Sequence, residues 1–421
     1  MAQVEEKSDI AVAGWTPPRR PQWVRLLNAM GSNLFEPSAF VALDEASLLA
    51  TAQRMTGLDD FGDDAWREPF AILLADIENE ANLNLTGRLL ARFDLLRSLV
   101  FRLRMAEAEK RHPAILDEQI EEPIFITGLG RTGTSILHEA MAQDPRLRAP
   151  LGWELRYPSE KTDDDEERVA MTADEVDLWM EVVPEFAPIH EISIDGPEED
   201  CVGLQHEFAS QVWSGTHRVP NFDMWMATQG WTQAFAFQRR LLQHLQFGNP
   251  APRWILKGIY ASCLPSVFAE FPDAKVVMTH RDPLTVLASM ANMLGTLRWQ
   301  RSETVDYHEI VAPLSFGIPF VLDMVVEQRK TGVLPDDRCI DVRFADLMAD
   351  QLATISRIYD ELGMSLTDDA AQRIQAYLEA KPRGRHGGHS YRIEDLGLDR
   401  AEMRTSFANY MRHFNIPEEL Q

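Results

Sequence analysis

The most informative stretch of this chain reads Pro123-Ile-Phe-Ile-Thr-Gly-Leu-Gly-Arg-Thr-Gly-Thr-Ser-Ile-Leu-His-Glu-Ala140. It begins with a short apolar run ending in glycine, which is typical of a buried strand, and it continues into a segment of helical character. The glycines between them let the backbone turn so that several N–H groups point at one anion. The positive N-terminal end of the following helix adds to that field. The stretch therefore predicts a phosphate-binding loop between a strand and a helix.

The loop differs from the G-x-x-x-x-G-K-[ST] pattern of nucleoside triphosphatases at one position. Thr134 stands where a lysine would neutralise the outer phosphates, so hydrolysis of ATP or GTP is disfavoured. Arg131 provides a cation from inside the loop instead. The loop thus suits a 5′-phosphate that carries something other than a phosphate chain. A turn that needs glycine for geometry alone is the alternative.

Three more strand-like runs follow, with helical segments between them. They lie at Trp254–Gly258, Lys275–His280 and Arg338–Phe344. After the second of these, Asp282 can cap a helix whose first residue is Pro283. The alternation predicts an α/β fold, with a P-loop-type parallel sheet flanked by helices.

The chain is expected to divide into an N-terminal arm and helical region (1–120) and an α/β domain (121–421). The latter carries a helical cap insertion at about 151–250. Within the insertion, the acidic run from Asp163 to Glu167 is expected to be a solvated loop. Its tryptophans are expected to line either the core or an acceptor pocket.

The N-terminal region contains two segments with different sequence patterns. Residues 1–35 contain three prolines and are expected to form an extended arm, whereas 44–111 have apolar residues at helical spacings. The chain begins with acidic residues rather than a signal peptide, and no apolar run approaches the ~20 residues of a membrane span. We therefore expect a cytoplasmic protein without a transmembrane segment.

The composition limits the partners. Lys plus Arg is 41 and Asp plus Glu is 66, which gives a formal charge of −25. Duplex nucleic acid and anionic membranes need a positive field and are disfavoured, but one local anion site is not. The three cysteines, at 201, 263 and 339, match no metal or redox spacing and are expected to be reduced core thiols. A homodimer is left open.

Two basic segments suit the same anion. Arg281 follows a predicted strand, where open α/β sheets bind ligands, and its guanidinium can hold a phosphate through two hydrogen bonds. Ser289, about two turns into the next helix, can donate a hydroxyl; a surface pair of Arg281 with Asp282 is the alternative. The run 381–392 has four Lys or Arg and no carboxylate, which predicts an anion-binding flap or a solvated loop.

Together the three segments resemble the PAPS-dependent sulfotransferase family, in its bacterial branch with a long N-terminal helical region. PAPS is 3′-phosphoadenosine 5′-phosphosulfate. The resemblance covers roughly residues 120–415 and is strongest at 123–145 and 253–293. It implies PAPS as the co-substrate and no metal.

The resemblance assigns cofactor-binding residues. Those of the 5′-phosphosulfate loop are Gly130, Arg131, Thr132, Gly133, Thr134 and Ser135, with Arg131 in place of the family's usual lysine. Arg281 and Ser289 match the pair that holds the 3′-phosphate. The basic loop that closes over this phosphate in the family is matched by Arg383, Gly384 and Arg385. The segment 341–347 resembles Y-E-D-L with Phe344 in place of tyrosine.

The resemblance is incomplete at the general base. Relatives in this branch often read K-S-P-x-H, but here Lys257 is followed by Gly-Ile-Tyr-Ala. The catalytic residues are therefore expected to be Arg131 and Lys257, which neutralise the leaving phosphate, and a base that is His190 or Glu199. Glu198 and His280 are further candidates for the base.

The predicted reaction moves the sulfuryl group of PAPS to a hydroxyl or amine of a small acceptor of hydrophobic character. Apolar segments at 85–105 and 213–231 suggest that character. One alternative is a P-loop small-molecule kinase-like phosphotransferase, which Thr134 and the lack of an acidic magnesium segment disfavour. The other is a non-catalytic nucleotide-binding protein, which the missing histidine leaves open.

Overall fold

The computed structural model describes residues 15–34, 36–158, 165–381 and 392–419. The predicted phosphate-closing residues Arg383, Gly384 and Arg385, and the acidic residues Asp163 and Asp164, lie outside these ranges.

A parallel sheet occupies the centre of the α/β part. Within the described residues it has four strands, β1 (Ile124–Gly128), β2 (Ile255–Lys257), β3 (Lys275–His280) and β4 (Cys339–Arg343). Their order is β2-β1-β3-β4, with Ile126 opposite Lys257 and Gly128 opposite Thr279. All four carboxyl ends therefore lie at one edge, which confirms the predicted α/β fold class.

The N-terminal region is helical. Its helices are α1 (Gln22–Leu34), α2 (Pro37–Phe40), α3 (Glu45–Thr56), α4 (Arg67–Asn79) and α5 (Leu85–Arg111). The helical prediction for 44–111 is confirmed. The extended-arm prediction is wrong for α1, because an apolar side of this helix is buried: Val24 packs with Leu90 of α5 and with Val182.

The insertion between β1 and β2 is also helical. Its helices are α6 (Thr134–Met141), α7 (Gly152–Arg156), α8 (Asp165–Val182), α9 (Cys201–Leu204), α10 (Gln211–Thr216), α11 (Pro220–Trp225) and α12 (Trp231–Gln246). The loop prediction for the acidic run is wrong at Asp165, Glu166 and Glu167, which form the first turn of α8. Carboxylates are favourable there because a helix N-terminus is positive.

Helices also follow the remaining strands. They are α13 (Leu264–Glu270), α14 (Pro283–Arg301), α15 (His308–Lys330), α16 (Phe344–Ala349), α17 (Gln351–Glu361), α18 (Asp368–Ala380), α19 (Arg400–Ser406) and α20 (Ala408–His413). The predicted cap of α14 is confirmed, since the Asp282 carboxylate accepts a hydrogen bond from the Leu284 N–H at 3.1 Å. Short 3₁₀ turns lie at Pro113–Asp117, Pro184–Phe186, Gln205–Glu207, Asp336–Arg338 and Ile393–Leu396, and a π turn at Met226–Gly230.

Both faces of the sheet are covered. Ile124 and Ile126 of β1 pack into one cluster with residues of α6, α17 and α18. Phe125 points the other way, into a larger cluster that also contains residues of α3, α4, α5, α12 and α14. The N-terminal helices therefore share a core with the sheet, and this packing positions α5 and α14 beside the carboxyl edge.

Helix α15 has an exposed apolar face. By length and composition it could cross a membrane, and a third of its most apolar part is buried. Phe316 and Phe320 are largely exposed, while Leu322, Val325 and Val326 are buried. Pro313 and Pro319 both lie inside this helix, which none of the predicted elements covers.

Candidate functional site

The carboxyl edge of the sheet collects one site residue or segment from each strand. The loop 129–133 follows β1, Lys257 ends β2, Arg281 follows β3 and Phe344 follows β4. The Arg281 guanidinium lies 4.1 Å from the centre of the Phe344 ring and donates a hydrogen bond to the Arg131 carbonyl oxygen at 2.8 Å. Phe344, which replaces the tyrosine of the Y-E-D-L pattern, thus supports Arg281 through a cation–π contact.

The loop has the backbone geometry of an anion-binding turn. Arg131 and Gly133 adopt left-handed conformations, with φ of 68° and 89°. Gly133 immediately precedes Thr134 and Ser135, which begin α6, so the positive N-terminal end of this helix adjoins the loop. Thr132 has a structural side chain, because its hydroxyl bonds the Leu129 carbonyl and lies 2.6 Å from the Thr279 hydroxyl.

Lys257 connects the loop to the insertion. Its ammonium lies 2.8 Å from the Ser135 hydroxyl and 2.8 Å from the Glu199 carboxylate, and its side chain is almost fully buried. Burial alone would raise the pKa of Glu199, but the charges of Lys257 and His190 and the hydrogen bond from Lys257 hold it at about 2. Glu199 therefore stays ionised and keeps Lys257 charged beside the loop.

The candidate bases are not equivalent. His190 lines a cavity next to the loop, and the Arg131 guanidinium donates a hydrogen bond to the neighbouring Ile189 carbonyl at 2.6 Å. His280 is buried, and its ring nitrogens lie 2.8 Å from the Tyr410 hydroxyl and 3.0 Å from the Asp341 carboxylate. The structure thus brings His190 and Glu199 to the loop, whereas His280 faces the core.

Ala261, which stands at the position of the missing family histidine, and the preceding Tyr260 do not line the cavity. Tyr260 is buried and its hydroxyl bonds the Asp200 carboxylate. Asp200 also accepts a hydrogen bond from the Lys257 backbone N–H at 3.1 Å. Burial raises the pKa of Asp200 to about 7. Asp200 and Tyr260 therefore anchor the end of β2.

Arg281 holds a carboxylate in this structure. Its Nε and Nη2 atoms donate to the two Glu419 oxygens at 2.7 and 2.8 Å, and the Glu419 N–H donates to Asp282. This two-bond arrangement is the one by which arginine holds planar carboxylates and phosphates. Ser289 lies half-buried on α14, on the same helix whose start follows Arg281.

One cavity of about 1160 Å³ extends from the loop between α5, α8, α10 and α14. The end of the cavity at the loop includes Arg131, Ser135 and Lys257. Its body is lined by apolar side chains, among them Phe93, Trp179, Phe186, Met293 and Leu297. Cys201 is half-buried and also lines the cavity, and its sulfur lies 3.6 Å from a Glu199 oxygen. The expectation of core thiols is therefore confirmed only for Cys263 and Cys339, which are buried.

Several residues of the site were not predicted from the sequence. Glu419 belongs to no motif, and its contact with Arg281 spans 138 positions. The cavity wall on α14 was readable as a helical stripe of Met290, Met293, Leu294 and Leu297, but its position opposite α5 was not. Within the described ranges, no group of three His, Cys, Asp or Glu side chains is placed to hold a metal ion.

Known proteins resemble this chain over most of its length. A sulfotransferase family profile matches residues 123–368. Curated omega-hydroxy-beta-dihydromenaquinone-9 sulfotransferases of Mycobacterium bovis and Mycobacterium tuberculosis are each 25% identical over 307 residues, which is 68% of this chain and 71% of theirs. The profile match begins just before β1 and ends at the start of α18, so it includes every strand described above.

Solved structures give the same match. A Mycobacterium avium sulfotransferase superposes with a TM-score of 0.80 at 24% identity, covering 90% of this chain and 98% of its own. A Mycobacterium tuberculosis sulfotransferase gives 0.72 at 30% identity, with coverages of 87% and 98%. The N-terminal helices and the insertion are therefore part of a shared architecture.

Proposed function

Because this chain belongs to the sulfotransferase family, we propose that it transfers the sulfuryl group of PAPS to a hydroxyl or amine of a hydrophobic acceptor. One observation carries the proposal: the same cavity reaches the glycine-rich loop, with Arg131 and Lys257, and a large apolar chamber. A donor at the loop and an acceptor in the chamber would meet beside Lys257.

The residues at the sheet edge fit PAPS. The N–H groups at the start of α6, with Arg131, Ser135 and Lys257, would hold the 5′-phosphosulfate. Arg281, stacked on Phe344, would hold the 3′-phosphate in place of the Glu419 carboxylate. Ser289 and the segment 383–385 remain proposed partners of the same phosphate.

In transfer, the acceptor oxygen or nitrogen forms a bond to sulfur while the bond from sulfur to the 5′-phosphate oxygen breaks. Lys257 and Arg131 would neutralise the charge that develops on the leaving phosphate. The acceptor proton needs a base within hydrogen-bond reach, and His190 lies on the cavity wall at that end.

The chamber supports a bulky apolar acceptor. Its lining is mostly aliphatic, aromatic and methionine side chains, which favour a hydrocarbon-rich molecule over a sugar or a peptide. The curated mycobacterial relatives are named for a hydroxylated dihydromenaquinone. We extend to this chain only the chemical class, an alcohol on a large apolar molecule.

A thermal-shift comparison tests the cofactor. We expect 3′-phosphoadenosine 5′-phosphate to raise the Tm and ATP at the same concentration, with or without magnesium, to raise it far less. Transfer from PAPS to long-chain alcohols, followed by mass spectrometry, then tests the reaction. Stabilisation by ATP with magnesium alone would favour the kinase alternative. Nucleotide binding without sulfation of any acceptor would favour a non-catalytic nucleotide-binding protein.

Two variants of one ion pair test the 3′-phosphate site. Arg281→Ala should weaken binding of 3′-phosphoadenosine 5′-phosphate by about tenfold or more, since it removes a charged two-bond contact. Glu419→Gln should strengthen that binding, because a competing carboxylate is lost. Calorimetry with adenosine 5′-phosphate, which lacks the 3′-phosphate, is the control: both variants should change its affinity little. Equal losses for both nucleotides in Arg281→Ala would contradict the assignment.

A further inference from the structure

Helix α14 forms one wall of the cavity along most of its length. Six of its residues line the cavity at three- and four-residue spacings: Met290, Met293, Leu294, Leu297, Arg298 and Arg301. Met290 lies beside the loop, since its Cγ would be 3.7 Å from a Cβ placed on Gly130. At 1.5 Å per residue, position 298 lies roughly 12 Å further along the helix. The helix therefore runs from the loop, where the sulfuryl donor would bind, to the opposite end of the cavity, which is called the far end below.

The far end of the cavity is polar. Arg298 on α14, Asp223 on α11 and Ser214 on α10 line it together. The Nε of Arg298 and the Oδ1 of Asp223 are buried and have no hydrogen-bond partner within the described chain. Burial lowers the pKa of Arg298 and raises the pKa of Asp223, which shows that both charged forms are costly here.

The neighbouring charges are already paired. Arg301 donates to Asp94 at 2.8 Å, and Arg218 donates to Glu309 at 2.6 Å. Arg298 and Asp223 act on each other as opposite charges at this end, and Asp223 is hydrogen-bonded to Ser214. One cation, one anion and one hydroxyl on the wall of a largely apolar cavity are the kind of polar groups that fix the orientation of a ligand in a pocket.

We propose that Arg298, Asp223 and Ser214 form a second recognition site, which binds a neutral oxygen group at the end of the acceptor opposite the sulfated hydroxyl. This inference rests on the proposed function and specifies its substrate class: an elongated apolar molecule with an oxygen function at each end. Arg298 donates to a hydroxyl or carbonyl oxygen, and Asp223 accepts from a hydroxyl.

The pairing of one cation with one anion sets the charge preference. Arg298 alone would favour a carboxylate, but Asp223 beside it repels a second negative charge. A hydroxyl satisfies both, because it donates to Asp223 and accepts from Arg298. The site therefore prefers neutral ends over acidic ones.

Three probes of matched length test the proposal: dodecanol, dodecanediol with a hydroxyl at each end, and omega-hydroxydodecanoate. Binding is measured by calorimetry on the full chain without a sulfuryl donor, so the result does not depend on turnover. We expect dodecanediol to bind about tenfold more tightly than dodecanol, and the hydroxy acid more weakly than the diol.

Variants separate recognition from folding. Arg298→Gln should reduce the diol preference to about twofold or less, and the near-isosteric Asp223→Asn should make the hydroxy acid bind more tightly than the diol. Arg218→Gln, which removes a nearby arginine absent from the lining of the large cavity, is the matched control and should leave the order of the probes unchanged.

Two results overturn the proposal: equal binding of dodecanol and dodecanediol to the wild type, or a diol preference that survives in both Arg298→Gln and Asp223→Asn. Sulfation assays with PAPS then separate this site from the proposed function. A diol preference without sulfation of either alcohol would contradict the proposed function but support the second recognition site. Sulfation of both alcohols without a binding preference would support the function and contradict the site.

Discussion

Replacement of Lys257 by methionine is expected to slow sulfuryl transfer by about a hundred- to a thousandfold, the usual cost of removing one donor that stabilises developing charge. The ammonium lies 2.8 Å from the Ser135 hydroxyl, at the start of α6, where the leaving phosphate would be held. The affinity for 3′-phosphoadenosine 5′-phosphate should fall much less than the rate, because Arg281 and the loop N–H groups remain. Stopped-flow transfer with saturating PAPS measures the rate.

Loss of stability is the main confounding effect. Lys257→Met leaves the half-buried Glu199 carboxylate without its cation, and the cost should be below the roughly 3–5 kcal/mol of breaking a fully buried pair, because Glu199 is 22% exposed. The double variant with Glu199→Gln removes both charges and should recover much of the Tm without recovering the rate. A folded Lys257→Met protein that transfers at more than a tenth of the wild-type rate would exclude Lys257 from charge neutralisation.

The pair also predicts acid sensitivity. The pKa of Glu199 is about 2 in the folded chain and below its ordinary value of 4.5, so its ion pair stabilises the fold above pH 4.5. That contribution is lost as the pH falls from about 4.5 towards 2. This sets the pH range for comparing variants: stability measured at pH 6 to 8 contains the full contribution of the pair.

Local patterns predicted the elements that form the site. The strand β3 begins and ends at the predicted residues, and Asp282 caps α14 as its position before Pro283 implied. These features depend on neighbours within a few positions, where hydrophobic alternation and capping chemistry act. The glycine-rich loop was readable for the same reason.

Contacts between distant segments were not readable. Ser135 and Lys257 meet across 122 positions, and Arg281 meets Glu419 across 138. Which charges pair is set by how α5, the insertion and the C-terminal segment pack on the sheet, and no local rule specifies that. The same limit explains α1, whose burial against α5 overrides a proline-rich start.

Packing also changes the choice between the two predicted bases. Glu199 is committed to Lys257, and a carboxylate with a pKa of about 2 accepts a proton poorly near neutral pH. His190 lines the cavity beside Arg131 and Glu199. The imidazole is the side chain best suited to proton transfer at neutral pH, so His190 is the stronger candidate.

His190→Ala is therefore expected to lower kcat by about a hundredfold or more, within the usual range for a general base. The KM for PAPS should change little, since the nucleotide is held by other residues. Added imidazole should restore part of the rate to His190→Ala but none to Lys257→Met, because only the first variant lacks a proton acceptor. A His190→Ala enzyme with full turnover would remove this residue from the mechanism. Full rescue of both variants by imidazole would mean that the rescue does not report on the base.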